Sequence, residues 1–232
     1  MIKKCYNCRL TLDTTNYTGE HVPPQNLFDG FPTEYKLNRI VVPACKDCNH
    51  LFSKIDNEIR DVLAVKTEDI KSREKLASKG IRSISRNKNW LDRVTFDANG
   101  NVRSINFKYK SLLQSHLKNF KGIFYYKYGF PITDEFDIEI IADEKSFEKF
   151  RLTRFIFDYL NAFCSFEVSG HEDIFKFKIG DMTLDRSDNF YVSNNITECS
   201  AVVSLLIYHN EVIALAFAGK HNFLHTCLNA KK

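Results

Sequence analysis

Three features of the 232-residue sequence predict an α+β fold in three parts. Two Cys-x-x-Cys pairs, Cys5/Cys8 and Cys45/Cys48, bracket a short N-terminal stretch, the pattern of two knuckles sharing one tetrahedral zinc ion. A strongly basic stretch and then an acidic one follow it, although the net charge is only +4. Near the end, Ala201 to Tyr208 and Glu211 to Ala218 form two nearly continuous apolar runs around His209-Asn210, as central strands covered on both faces do. The expected organisation is a zinc module over residues 1–65, a basic helix and hairpin connecting segment over 66–130, and an α+β regulatory or partner-docking domain with an antiparallel sheet over 131–232.

The elements follow from local pattern. Tyr6 to Asn16 is turn-rich, as a knuckle should be, and Pro23-Pro24 is expected to send the chain out of a first strand in extended form. Ile40 to Val42 is β-branched and reads as a second strand. From Lys46 to Val65 the residues Leu51, Phe52, Ile55, Ile59, Val62 and Leu63 recur at helical spacing. Val94 to Phe96 and Val102 to Phe107 flank Asn99-Gly100, a strong hairpin signal. Leu113, Leu117, Phe120 and Phe124 make a helical stripe stopped by Gly129 and Pro131. Phe136, Ile138 and Ile140 alternate with charges as a one-faced strand, and Phe175 to Ile179 alternates again. Between them Asp143 caps a helix carrying Phe147, Phe150, Phe155, Ile156, Tyr159, Leu160 and Phe163.

Composition excludes several classes. The apolar fraction of 44% and the 20 Phe argue against disorder. No apolar N-terminal run suggests a signal peptide and no stretch is apolar enough to span a bilayer, so a cytoplasmic protein with no membrane partner is expected. In a reducing compartment the Cys-x-x-Cys pairs favour metal over disulfides, while Cys164, Cys199 and Cys227 lack ligand spacing and read as small buried hydrophobes. His221 and His225 lie four apart but have no cysteine or carboxylate partner at useful spacing.

Between the cysteine pairs lies Glu20-His21-Val22-Pro23, and Asn49 directly follows the last cysteine. Glu20 and Asn49 offer hard donors suited to a divalent ion, and His21 is the side chain suited to taking a proton at neutral pH. This set matches what phosphodiester hydrolysis requires, a cation at the phosphate and leaving oxygen and a base for the attacking water. The order Cys-x-x-Cys, Glu-His-Val-Pro, Asn38 ahead of Arg39-Ile40-Val41-Val42, Cys-x-x-Cys-Asn and a helix carrying Lys54 resembles the HNH endonucleases, the zinc-stapled ββα-metal nucleases. The resemblance covers about a quarter of the chain and implies structural Zn2+ at Cys5, Cys8, Cys45 and Cys48. It also implies catalytic Mg2+ or Mn2+ at Glu20 and Asn49, His21 activating water, and Asn38 holding the loop. It further implies a place in a bacterial anti-phage or mobile-element module beside an ATPase or another defence protein.

Beside such a site the basic segment reads as a phosphate-tracking surface, with Lys54, Arg82, Arg86 and Lys88 as nucleic-acid contacts. It lacks interleaved aromatics for stacking on single-stranded RNA, so double-stranded DNA is the expected substrate. The rival reading is a zinc module without catalysis that binds a nucleic acid or a protein, with the basic segment a solvated helix face.

Overall fold

The computed structural model describes residues 3–66, 74–76, 79–80, 82–83, 86, 92, 94–99, 102–106, 109–142, 151–184, 190–192 and 201–220. Lys88, Cys199, Cys227, His221, His225, Asp143, Phe147, Phe150 and the side chain of Lys54 lie outside the described residues. Among the described residues the fold is α+β and every strand pairing is antiparallel. No described helix is long and apolar enough to cross a membrane.

Strands β1 (Tyr17–Val22) and β2 (Ile40–Cys45) form a hairpin that runs directly into helix α1 (Lys46–Lys66). Register sets Glu20 opposite Val42 and His21 opposite Val41, so strand alternation turns Glu20 and Val22 inward and leaves His21 on the other face. The chain leaves β1 in a 3-10 turn, Gln25–Phe28, rather than extended. Proline is tolerated at the start of a helical turn, and here Pro24 O accepts from Leu27 N at 3.2 Å while Leu27 and Phe28 are buried. On α1 the buried line runs through Cys48, Phe52, Ile59 and Leu63. Leu51, expected on that stripe, is exposed because it lies a quarter-turn off it.

Strands β3 (Val94–Phe96) and β4 (Val102–Ile105) pair as the Asn-Gly signal predicts. Helix α2 (Tyr109–Tyr128) ends at Gly129, whose φ of +80° and N–H to Tyr125 O at 2.8 Å close it in the left-handed cap that favours glycine. Of the expected stripe Phe120 and Phe124 are buried, but the rest of the buried face is Ser115, His116, Lys118, Asn119, Gly122 and Ile123 in place of Leu113 and Leu117. Leu113 and Leu117 are only partly covered, because the buried side of α2 faces polar partners on α1, β1 and β9.

Among the described residues the main sheet has six strands. Its order is β5 (Phe136–Ile141), β10 (Val212–Lys220), β9 (Ala201–Tyr208), β7 (Phe175–Leu184) and β6 (Glu167–Val168), with β8 (Phe190–Val192) on β7. Strands β9 and β10 are joined by the three residues His209, Asn210 and Glu211, of which the first two take positive φ and the third donates its N–H to Tyr208 O at 3.1 Å to close the turn. Every residue of β9 is buried, as the nearly continuous apolar run predicts. Ala201, Val203, Leu205 and Ile207 join Ile156 and Leu160 of α3 (Arg151–Phe163) in one cluster. Val202, Leu206 and Tyr208 face the other way, into a cluster shared with α1, α2, the hairpin and the first knuckle. Residues of all three expected segments therefore meet in one core.

Two close contacts fix the front hairpin in that core. Ser169 Oγ donates to Val22 O and accepts from Ile40 N at 2.9 Å, which clamps the end of the hairpin beside His21. On α2, a Cβ at Gly122 would collide with Val22 Cγ2, so only glycine lets the helix approach this closely. Gly122→Val should therefore destabilise the protein by about 1–3 kcal/mol through overpacking. Urea unfolding checks it, and an unchanged midpoint would show that α2 does not bear on β1.

Candidate functional site

The four cysteines of the two pairs come together. Cys5, Cys8, Cys45 and Cys48 place their Sγ atoms within 4.8 Å of one another, and all are free thiols. Tetrahedral zinc with Zn–S near 2.3 Å requires S···S separations of about 3.8 Å, so the donor set fits zinc in both chemistry and spacing. The approach is built by backbone. Tyr6 N–H donates to Pro43 O at 2.9 Å, Arg9 adopts φ +65° to close the first knuckle, and Cys48 N–H points at Cys45 Sγ at 3.4 Å from the first turn of α1. Burial and the neighbouring sulfurs push the Cys48 thiol up, the condition that a zinc ion reverses by taking thiolates. Around the sulfurs, Asn7 Nδ2 donates to Cys48 Sγ at 3.3 Å and Lys121 Nζ to Asn7 Oδ1 at 3.1 Å. A cationic neighbour suits a zinc tetrathiolate, which carries excess negative charge.

The cluster ties β2 to α1, and that junction positions Asn49. Its Nδ2 donates to Gly19 O at 3.4 Å, next to Glu20 on β1. Glu20, His21 and Asn49 are thus on adjoining elements. Asn38 is exposed at φ +54° two residues before β2, and its carbonyl accepts from Gly170 N at 3.5 Å. Arg82 and Arg86 sit beside α1 around Arg60, away from the cysteines.

His21 is half-buried, and its imidazole titrates below the ordinary range because burial, and then the charges of Arg39 and Lys118, disfavour the imidazolium. It is neutral at pH 7 and free to accept a proton there. Arg39 directly precedes β2, near enough to His21 for its charge to act on the imidazole. Its Nε donates to Lys36 O at 3.0 Å, its guanidinium lies 5.5 Å from the Phe28 ring centre, and its Nη1 is buried without a hydrogen-bond partner. Sequence reasoning passed over Arg39 as part of the approach to a strand. The available signal was a cation directly ahead of a β-branched run.

Glu20 has a different neighbour. Its Oε1 lies 2.8 Å from Lys118 Nζ, and the same ammonium sits 2.8 and 2.7 Å from the two carboxylate oxygens of Asp56. The side chains of Glu20, Lys118 and Asp56 are 7%, 0% and 13% exposed, so this is a buried triad. Burial pushes both carboxyls up, and Lys118 draws them back only in part. A divalent ion ligated by Glu20 would need the place that Lys118 fills. Glu20 and Asn49 do not fit a catalytic ion with the side chains as they stand, whereas the cysteines fit zinc. No family model, curated protein or solved structure matches this chain.

Proposed function

We infer that the chain is an endonuclease of the HNH kind that hydrolyses phosphodiester bonds of DNA. The observation that carries this reading is a cysteine cluster joining a β-hairpin to a helix, with neutral His21 on the hairpin and Asn49 on the first turn of the helix. In this reading His21 accepts the proton of the attacking water, and its neutral state at pH 7 follows from burial and adjacent cations. The Arg39 guanidinium, whose charge reaches His21, has the sign needed to stabilise the charge that grows on the phosphate. Asn49 holds the helix start against β1 and so fixes the backbone that carries His21. The Mg2+ or Mn2+ implied by the family resemblance would supply Lewis-acid charge stabilisation, but Lys118 holds Glu20 in place of such an ion.

That same pairing favours the second reading, a zinc module that binds nucleic acid or a protein partner without cutting. Nicking of supercoiled plasmid in Mg2+ or Mn2+ separates the two. The wild-type protein should nick, and His21→Ala should lose roughly 10²-fold or more of the rate while keeping its zinc. Activity should fall on the acid side only below about pH 6.5, the ordinary imidazole value, since His21 is shifted down from it. Plasmid binding with no nicking would give the second reading its place, and equal nicking by His21→Ala would remove His21 as the base.

A further inference from the structure

Arg60, Lys79, Arg82, Ser83 and Arg86 line a cavity of about 300 Å³. Residues 79, 80, 82, 83 and 86 are helical, and Lys79, Arg82, Ser83 and Arg86 fall at i, i+3, i+4 and i+7, which is one helix face. That face meets α1 at Arg60. The approach is close, because a Cβ at Gly80 would lie 2.9 Å from Ala64 Cβ on α1.

The wall is braced from behind. Arg60 Nε and Nη2 reach Asp61 Oδ1 at 2.9 and 2.6 Å, Ser83 Oγ donates to Asp61 Oδ2 at 2.7 Å, and Lys79 Nζ lies 3.0 Å from Asp29 Oδ1. Neither aspartate lines the cavity. Among the described residues four cations and a hydroxyl therefore line it without an acid, while two carboxylates hold Arg60, Lys79 and Ser83 in place. Arg82 and Arg86 are exposed at the rim. Planar guanidiniums in this arrangement suit tetrahedral oxyanions, whose oxygens take paired N–H donors. The volume is at the lower end for ligand pockets, enough for phosphate groups and too small for a large apolar ligand.

The geometry points to a phosphate-binding pocket between α1 and the 79–86 face, apart from the cysteine cluster and His21. Its ligand is a phosphate group, carried either on a nucleic-acid backbone or on a small free molecule. Binding here does not depend on whether His21 catalyses anything.

The test compares the full-length wild-type protein with Arg82→Ala/Arg86→Ala for binding to a fluorescent DNA duplex across a salt series and, separately, to inorganic pyrophosphate. Both side chains are exposed, so zinc content and circular dichroism should be unchanged. If the phosphates are those of a backbone, duplex affinity should fall roughly tenfold or more and the log-log salt slope should flatten by about two. If they belong to a small molecule, wild type should bind pyrophosphate and the variant should lose it, with duplex affinity unaltered. Either result supports the pocket. Equal binding of both probes by wild type and variant would overturn it. So would an equal loss of both in Arg103→Ala/Arg154→Ala, two exposed arginines outside the cavity, since bulk charge would then account for the effect.

Discussion

Cys45→Ser should unfold the front of the molecule and weaken the rest with it. Structural zinc contributes on the order of 10 kcal/mol to folding where no preformed site exists without metal. The loss should not stay local. Cys5, Cys45 and Cys48 belong to the same buried cluster as Phe120 and Phe124 of α2 and Phe175, Leu206 and Tyr208 of the main sheet. Releasing the knuckles exposes the inner face of the hairpin and withdraws the support of α2, so the sheet loses the cover of one side. One cooperative transition at a much lower denaturant concentration is the expected result, and a strong chelator should act on the wild type in the same direction. Cys164→Ser supplies the control, since Cys164 is half-buried and outside the four-sulfur cluster. Zinc quantification and urea unfolding check the prediction. A purified protein without zinc, or a Cys45→Ser variant as stable as wild type, would refute the zinc site.

Much of this arrangement is legible in the sequence because its determinants are local. The Cys-x-x-Cys spacing prescribes each knuckle, and the two pairs do converge. The apolar run of β9 announces a strand covered on both faces, and His209-Asn210 announces its turn. The rest depends on contacts between residues remote in the chain. Lys118 reads as a polar position between Leu117 and Phe120, and nothing nearby reveals that Glu20 and Asp56 will make its burial tolerable. His116 and Asn119 are hidden the same way: His116 Nδ1 is 3.3 Å and Asn119 Nδ2 2.9 Å from Tyr208 OH on β9. Apolar periodicity finds a helix whose buried side is greasy and misplaces the face of one whose buried side is polar. The separation into three segments hides a similar thing, since one face of the rear sheet packs on the front elements. Such sharing is invisible to composition, which changes along the chain but not across the core.

Lys118→Met should cost about 3–5 kcal/mol at neutral pH, because removing the shared partner of a buried ion pair leaves uncompensated charge behind. Here two carboxylates are left, on Glu20 and Asp56, facing each other across the space of one ammonium. The pH dependence distinguishes this cause from simple loss of packing. Burial already raises both carboxyls in the folded protein, with Lys118 opposing the rise. Without the lysine the rise is larger. A carboxyl raised on folding contributes stability that is fully present below its unfolded value, about 4, and that is lost as pH climbs through the folded value. The variant's deficit should therefore be smaller at about pH 5 than at about pH 7.5, and adding Glu20→Gln should recover part of it at the higher pH. Urea unfolding of wild type and variant at each pH measures the deficit, and comparing them at the same pH cancels the zinc contribution. A deficit that does not change with pH would assign Lys118 to packing alone. The same pair of proteins tests the place of a divalent ion. With Lys118 gone, Glu20 and Asp56 offer hard oxygen donors at a vacated seat, so Mn2+ should stabilise the variant and leave the wild type unmoved. Equal stabilisation of the wild type would mean that Glu20 reaches an ion with Lys118 in place, and the catalytic ion would then belong in the mechanism beside His21.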